Sequence, residues 1–362
     1  MRSTWISRLL EKLGHAVVAA NSIRFDGSRS GEGWCLIYWP RVQEMRMNNH
    51  NSSTKKADRR SFLGQTVSVV AGAAAFSRGD LLGAAGRSAS YQFKHAMCNE
   101  TFEKWPFADT CKAIRKAGYT GIEVAPFTLS EDPNGISAQK RREYASIIRS
   151  EGLKLAGLHW LLLAPKGLHV TTPDNAVRER SWQHVRQLID FCADLGPDGV
   201  MIFGSPQQRG TTGGLSRDAA VKHFVDGLAG IAPHAVERGV KVLVETFPTR
   251  QDDVARTMDE AVAIIRQIGS PGIQTMFDTG NAAKEVEPHA TLVDRYFDLI
   301  RYIHIRGTNG PPYDYKPVLN VLRRRGYTGW ISLEAFNVSA NDAEKIARET
   351  LRYMEEEIAK LN

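Results

Sequence analysis

Lys241-Val242-Leu243-Val244-Glu245, Gln274-Thr275-Met276-Phe277-Asp278, Tyr302-Ile303-His304-Ile305-Arg306 and Trp330-Ile331-Ser332-Leu333-Glu334 decide the fold. Each is a short run rich in apolar and β-branched residues that ends on or near an ionisable one, and each is separated from the next by a stretch with helical spacing. Four more such runs precede them: Gln92–Met97, Gly121–Ala125, Lys154–His159 and Gly199–Phe203. The helical stretches are Asp109–Ala117, Ala138–Ser150, Asp174–Leu195, Arg217–Arg238, Met258–Ile268, Thr291–Leu299, Tyr315–Arg325 and Asn341–Lys360. Gly or Pro punctuates the helix-to-strand joints at Gly118, Gly152, Gly196-Pro197, Gly239, Pro271-Gly272 and Gly326. Eight strands, each followed by a helix, predict an α/β protein with a (β/α)8 TIM barrel over residues 91–362. A doubly wound sheet is the competitor, but no Gly-x-Gly-x-x-Gly follows the first strand.

Catalytic groups in such a barrel project from the C-terminal strand ends. Glu245, Asp278, His304 and Glu334 are therefore expected at matching levels of four consecutive strands. Any one carboxylate at a strand end is ordinarily a helix cap or an arginine partner. Three that converge repel one another and are costly to bury unpaired, which calls for a cation between them. Three carboxylates and one imidazole suit Mn2+ best, with Co2+ or Mg2+ next and Zn2+ also admissible.

On Val244-Glu245, Phe277-Asp278-Thr279-Gly280-Asn281, Ile303-His304-Ile305 and Ser332-Leu333-Glu334, in that order, the chain resembles the sugar phosphate isomerase/epimerase group of the xylose isomerase-like barrels. That group includes the ketose 3-epimerases of the tagatose and psicose type, and the resemblance covers roughly residues 91–360. It implies that Glu245, Asp278, His304 and Glu334 are the metal ligands. It further implies that Glu245 and Glu334 are the catalytic acid/base pair.

The expected chemistry is proton abstraction next to a carbonyl. A metal chelated by the substrate's oxygens stabilises the enediolate, and two carboxylates take and return the proton. Return to the same carbon gives epimerisation, and return to the neighbouring carbon gives aldose–ketose isomerisation. A lyase or hydrolase acting on 3-keto-glycosides through the same step is the alternative.

The substrate contacts depart from the family pattern. Asn281 stands where several ketose 3-epimerases carry a His, and Gly310 where they carry an Arg. Arg306, on the same strand face as His304, is the expected substitute. His159, Trp160 and Glu123 are further candidates for binding the sugar. Lys166 and His169 lie in the loop after the third strand. The loops Leu161–Pro173 and Ser205–Leu215 are long enough to act as lids.

An endonuclease IV-like phosphodiesterase, the rival inside this fold, would need extra histidines. Asn281 occupies one of those places, and 307–316 contains no His. A sugar-binding protein without turnover is the rival outside enzymology.

The formal net charge of +7 suggests a nucleic-acid partner only until it is divided along the chain. Residues 1–87 hold 13 Lys and Arg against 6 Asp and Glu, while residues 88–362 hold 34 of each. The excess lies in a leader, residues 1–90. There Asp58-Arg59-Arg60-Ser61-Phe62-Leu63 and the apolar run Val67–Phe76 resemble a bacterial twin-arginine signal. That implies export to the periplasm through the twin-arginine machinery, with residues 1–44 a mis-called start ahead of Met45 or Met47. The expected partners are a small carbohydrate and a second copy or three of the chain, as homodimer or homotetramer, and no nucleic acid. Cys98, Cys111 and Cys192 are expected as buried apolar residues, without a disulfide framework.

Overall fold

Eight strands close into a parallel barrel in chain order in the computed structural model, which describes residues 92–339 and 341–361. They are β1 Lys94–Cys98, β2 Gly121–Val124, β3 Lys154–Leu158, β4 Val200–Phe203, β5 Lys241–Val244, β6 Ile273–Asp278, β7 Ile300–Arg306 and β8 Trp330–Glu334. The last strand pairs with the first, from Lys94 against Trp330 to Met97 against Leu333. The barrel is thus closed and has no free edge. The leader, with Cys35, Arg59 and Arg60, lies outside the described residues.

The helices are α1 Phe107–Lys116, α2 Ala138–Ser150, α3 Asn175–Leu195, α4 Arg217–Glu237, α5 Met258–Ile268, α6 His289–Arg295, α7 Lys316–Arg324 and α8 Ala343–Ala359. Four begin on side chains that accept from otherwise unpaired backbone amides: Ser137, Asp174, Ser216 and Thr257. Behind α4 and α7 the chain reverses at Gly239 and Gly326, whose left-handed φ of 68° and 67° a Cβ would strain. The helix expected over Thr291–Leu299 is shorter than its periodicity suggests. It stops at Arg295, and a separate 3-10 turn, Phe297–Leu299, follows. Between them Tyr296 leaves helical geometry at φ −107°, with its hydroxyl donating to Asp259.

Strand alternation explains the core. Leu243, Met276 and Tyr302 point inward with Ala96, Ala156, Val200, Ile202 and Trp330, and together they plug the barrel. Their neighbours Val244, Phe277 and Ile303 point outward into the larger core beneath the helices. Each Val, Leu, Ile, Phe or Met among them stabilises by about 1.5–3 kcal/mol. Glu245, Asp278 and His304 lie two residues beyond inward-pointing ones, so the same alternation aims them at the barrel mouth.

The three described cysteines, Cys98, Cys111 and Cys192, are buried free thiols. No helix of the described residues is long and apolar enough to cross a membrane.

Candidate metal centre at the barrel mouth

Glu245, Asp278, His304 and Glu334 converge, but not at equal rungs of the sheet. Asp278 pairs with His304, whereas Glu334 pairs with Arg306, two residues further along β7. The expectation of matching levels is corrected by the stagger that closing a barrel imposes. Side-chain reach restores the convergence. Ligand atoms of Glu245, Asp278 and His304 lie within 4.8 Å of one another, as do those of His304, Glu334 and His159.

The four residues are almost fully buried, at 1%, 4%, 0% and 3% exposure respectively. Each offers one buried atom that has no hydrogen-bond partner: Glu245 Oε2, Asp278 Oδ2, His304 Nδ1 and Glu334 Oε2. The other polar side-chain atoms of the first three are engaged. Asp278 Oδ1 accepts from the Gly280 and Asn281 amides at 2.6 and 3.1 Å. Glu245 Oε1 accepts from Asn281 Nδ2 at 2.8 Å. His304 Nε2 lies 3.0 Å from Glu123 Oε2, and an ionised carboxylate only accepts, so Nε2 donates there and Nδ1 is the ring nitrogen left facing the centre. Buried polar atoms rarely lack partners. One such atom from each of four donors, gathered in two groups of three that share His304, suits a divalent cation. The residues fit the group the sequence calls for.

The electrostatics agree. Burial, and then the charge of Asp278, push the Glu245 carboxyl up to about 8. Burial also raises Glu334 well above the carboxylate range, partly offset by His304. Glu123 behaves oppositely. Burial alone would raise it, but His304 and His159 hold it well below the usual value. The charges of Glu123 and Glu334 in turn outweigh burial at His304 and lift its pKa well above that of a free imidazole.

The expected substrate contacts fall into two groups. Asn281, Arg306 and Trp160 stand at the mouth. Asn281 bridges Arg306, whose guanidinium donates to Oδ1 at 3.0 Å, and Glu245. Arg306 packs 4.7 Å from the Phe336 ring centre. Trp160 is half-buried at the end of β3, with its ring 5.2 Å from His159 and edge-on to Phe336 at 6.3 Å.

Glu123 and His159 lie beneath. Glu123 is fully enclosed, with Oε2 bonded to the Tyr302 hydroxyl at 2.8 Å and to His304, and Oε1 3.0 Å from His159 Nδ1. The expectation that Glu123 faces the substrate therefore gives way to a place behind His304. His159, made harder to protonate by burial, has Nε2 3.9 Å from Glu245 Oε2 and Nδ1 3.6 Å from Glu334 Oε1. Lys166 is exposed, and His169 contacts the Thr171 hydroxyl at 3.3 Å.

A family model described as the xylose isomerase-like TIM barrel matches residues 111–357. The chain belongs to that family. A ketose 3-epimerase of Arthrobacter globiformis is 24% identical over 238 residues, spanning 63% of this chain and 78% of that protein. A fructoselysine 3-epimerase of Shigella flexneri is 21% identical over 189 residues, spanning 49% and 67%. A solved D-psicose 3-epimerase in the presence of D-fructose superposes with a TM-score of 0.64 at 18% identity, covering 74% of this chain and 99% of that one. A 3-keto-D-glucoside 4-epimerase from E. coli superposes at 0.62, again 18% identical, covering 73% and 100%.

Several residues of this xylose isomerase-like barrel carry no sequence signal. Arg209 is wholly buried and pairs with Asp253 through Nε at 3.1 Å and a terminal nitrogen at 2.8 Å. The same guanidinium donates to the Glu245 carbonyl at 2.6 Å and packs over Phe247 at 4.8 Å. It thereby fixes the backbone from which the Glu245 side chain springs. A Cβ at Gly204 would collide with Glu245 Oε2, so this glycine leaves room for the carboxylate. Glu100, just after β1, adds a fifth carboxylate with a buried, unpartnered Oε1; burial and Glu123 push it up to about 8.

The two loops expected as lids are tied to each other. Val170 N donates to Gln208 O at 2.8 Å, and the Thr171 hydroxyl to Gly210 O at 2.6 Å. Of the four left-handed non-glycine residues among the described ones, all but Asp198 lie at the same end of the barrel. Trp160, Ser205 and Asn337 adopt left-handed φ of 55°, 51° and 55°, each costing about 1–3 kcal/mol.

Proposed function

We propose that the protein is a divalent-metal-dependent sugar epimerase or isomerase, acting on a free sugar or an oxidised sugar derivative by proton abstraction next to a carbonyl. The observation that carries this reading is a set of four buried, unpartnered donor atoms at the ends of four consecutive strands, gathered in two groups that share His304. The named relatives are sugar epimerases, which supports the same substrate class.

Glu245, Asp278, His304 and Glu334 would hold the cation, with Mn2+ the best match to an oxygen-rich donor set. Once bound, the cation supplies Lewis-acid stabilisation of the negative charge that develops on the substrate's carbonyl oxygen.

The chain's own residues do the rest. Glu245 and Glu334 rise from β5 and β8, which are not neighbours in the barrel, and so approach a substrate from separate directions. One carboxylate removes the hydrogen on the carbon beside the carbonyl, and the other delivers a proton to that carbon or the next. Asn281 donates to Glu245 Oε1 and so sets the plane of the carboxylate, with Oε2 turned to the centre. Glu123 orients His304 from behind and keeps its Nδ1 aimed at the centre, where a bound cation would displace the proton. The tied loops over β3 and β4 shield the site from bulk water. Export through the twin-arginine route, inferred from the leader, favours free sugars, glycosides or their oxidised forms as substrates.

The test is solvent exchange. Protein loaded with Mn2+ is incubated in heavy water with free ketoses and 3-keto-glycosides, and deuterium is located by NMR. Deuterium at a carbon beside the carbonyl is expected, and chelation of the metal should stop it. Absence of exchange with every sugar, or full exchange in Glu245→Gln, would overturn the proposal.

A further inference from the structure

A cavity of about 730 Å3 opens beside the four strand ends, between the turn after β7 and the segment after β8. Among the four convergent residues only Glu334 lines it, so the cavity adjoins the centre and does not coincide with it. A single sugar with its reacting carbons at the centre would touch only the inner edge. The space beyond falls in the range of about 300–1,000 Å3 that encloses much larger ligands.

The walls suit a neutral ring. Phe336, Tyr313 and Pro312 present apolar faces, while Arg306 and Asn309 present polar edges. Both aromatic rings are already fixed. Phe336 is packed by Arg306 and Trp160. The Tyr313 hydroxyl lies 2.7 Å from His289 Nδ1, and the two rings stack at 5.6 Å and 18°. Rings held in advance reduce the ordering cost of binding. A sugar offers the matching pattern, with C–H faces for aromatic rings and hydroxyls for the polar edges between them.

A phosphate fits less well. In the turn after β7, Thr308 N already donates to Thr350 Oγ1 at 3.1 Å, and Gly310 N to Gly307 O at 2.8 Å. Arg306 lies 3.9 Å from the Asp278 carboxylate, which repels an anion but not the hydroxyl of a neutral sugar.

We propose that this cavity is a second sugar subsite and that the substrate is a neutral keto-disaccharide. The ring bearing the ketone lies at Glu245 and Glu334, and its glycosidic partner lies against Phe336 and Tyr313. This inference rests on the reaction proposed above.

The experiment compares solvent-deuterium exchange into 3-keto-trehalose and 3-keto-glucose by the Mn2+-loaded protein. A parallel saturation-transfer NMR measurement follows binding of unoxidised trehalose. The kcat/KM for the disaccharide should exceed that for the monosaccharide by tenfold or more, mainly through KM. Phe336→Ala should shrink the ratio toward one, and Phe336→Tyr should preserve it. Pro312→Trp, which fills the exposed rim of the cavity, should shrink it without touching the core. Equal kcat/KM for the two sugars, or a ratio unmoved by Phe336→Ala and Pro312→Trp, would overturn the subsite. If neither sugar exchanges, the proposed reaction fails and binding alone decides the cavity. Trehalose transfer that is lost in Pro312→Trp then supports the subsite, and no transfer in the parent protein refutes it.

Discussion

Both halves of the barrel bury polar atoms without partners, Glu100 Oε1 and His159 Nδ1 among those of the first, but the two halves differ in what their residues do at the centre. Strands β5 to β8 contribute Glu245, Asp278, His304 and Glu334, each with one buried atom that nothing in the protein satisfies. The β1–β4 half contributes Glu123, Gly204 and Arg209, which act on the ligand half: Glu123 bonds His304, Gly204 leaves space for Glu245, and Arg209 holds its carbonyl. One half supplies the proposed ligands, and the other packs against them.

If that division is right, substitutions in the two halves should fail differently. Glu245→Gln removes one of the two carboxylates proposed to react and should lower solvent exchange about a thousandfold, within the range for general acid–base catalysis, with little change in melting temperature. Comparable activity in that variant would break the comparison at its first step.

Arg209→Met leaves Asp253 buried and unpaired, and should cost about 3–5 kcal/mol of stability by denaturant unfolding. Adding Asp253→Leu should recover most of that stability. Activity should stay low, because the Glu245 carbonyl has still lost its donor. Full recovery of both would reduce the pair to a core contact.

Glu123→Gln keeps the shape but weakens the acceptor behind His304, and should lower Mn2+ affinity by about 10–100-fold in a calorimetric titration. The smallest effect is on pH dependence. Without metal, folding holds protons on Glu245, Glu334 and His304 that the unfolded chain has released above pH 6.5. The native state then binds more protons, so stability should fall as pH rises from 6.5 to about 8. Glu123, whose depressed pKa contributes fully above 4.5, adds no slope in that window. Saturating Mn2+ displaces the carboxylate protons and should flatten the decline, which melting curves with and without chelator would reveal.

The two halves also differ in how readily sequence reveals them. All eight strands lie within two residues of where alternating and helical periodicities place them. Glu245, Asp278, His304 and Glu334 stand out because each ionisable residue closes an apolar run, a local pattern. Glu123 was visible as a candidate, but its place behind His304 was not, since 181 residues separate the two. Arg209 and Gly204 gave no signal, because an arginine and a glycine in a loop ordinarily belong at the surface.

The sequence by itself determined the architecture and the four convergent side chains. Strand and helix periods are local properties, and inward alternation carries a strand-end residue to the barrel mouth. Only the tertiary structure decided the stagger that sets Glu334 beside Arg306, the enclosure of Glu123, the buried Arg209–Asp253 pair and the cavity beyond Glu334. These follow from barrel closure, which brings together residues far apart in the chain and determines which polar atoms find partners and which are left facing one another.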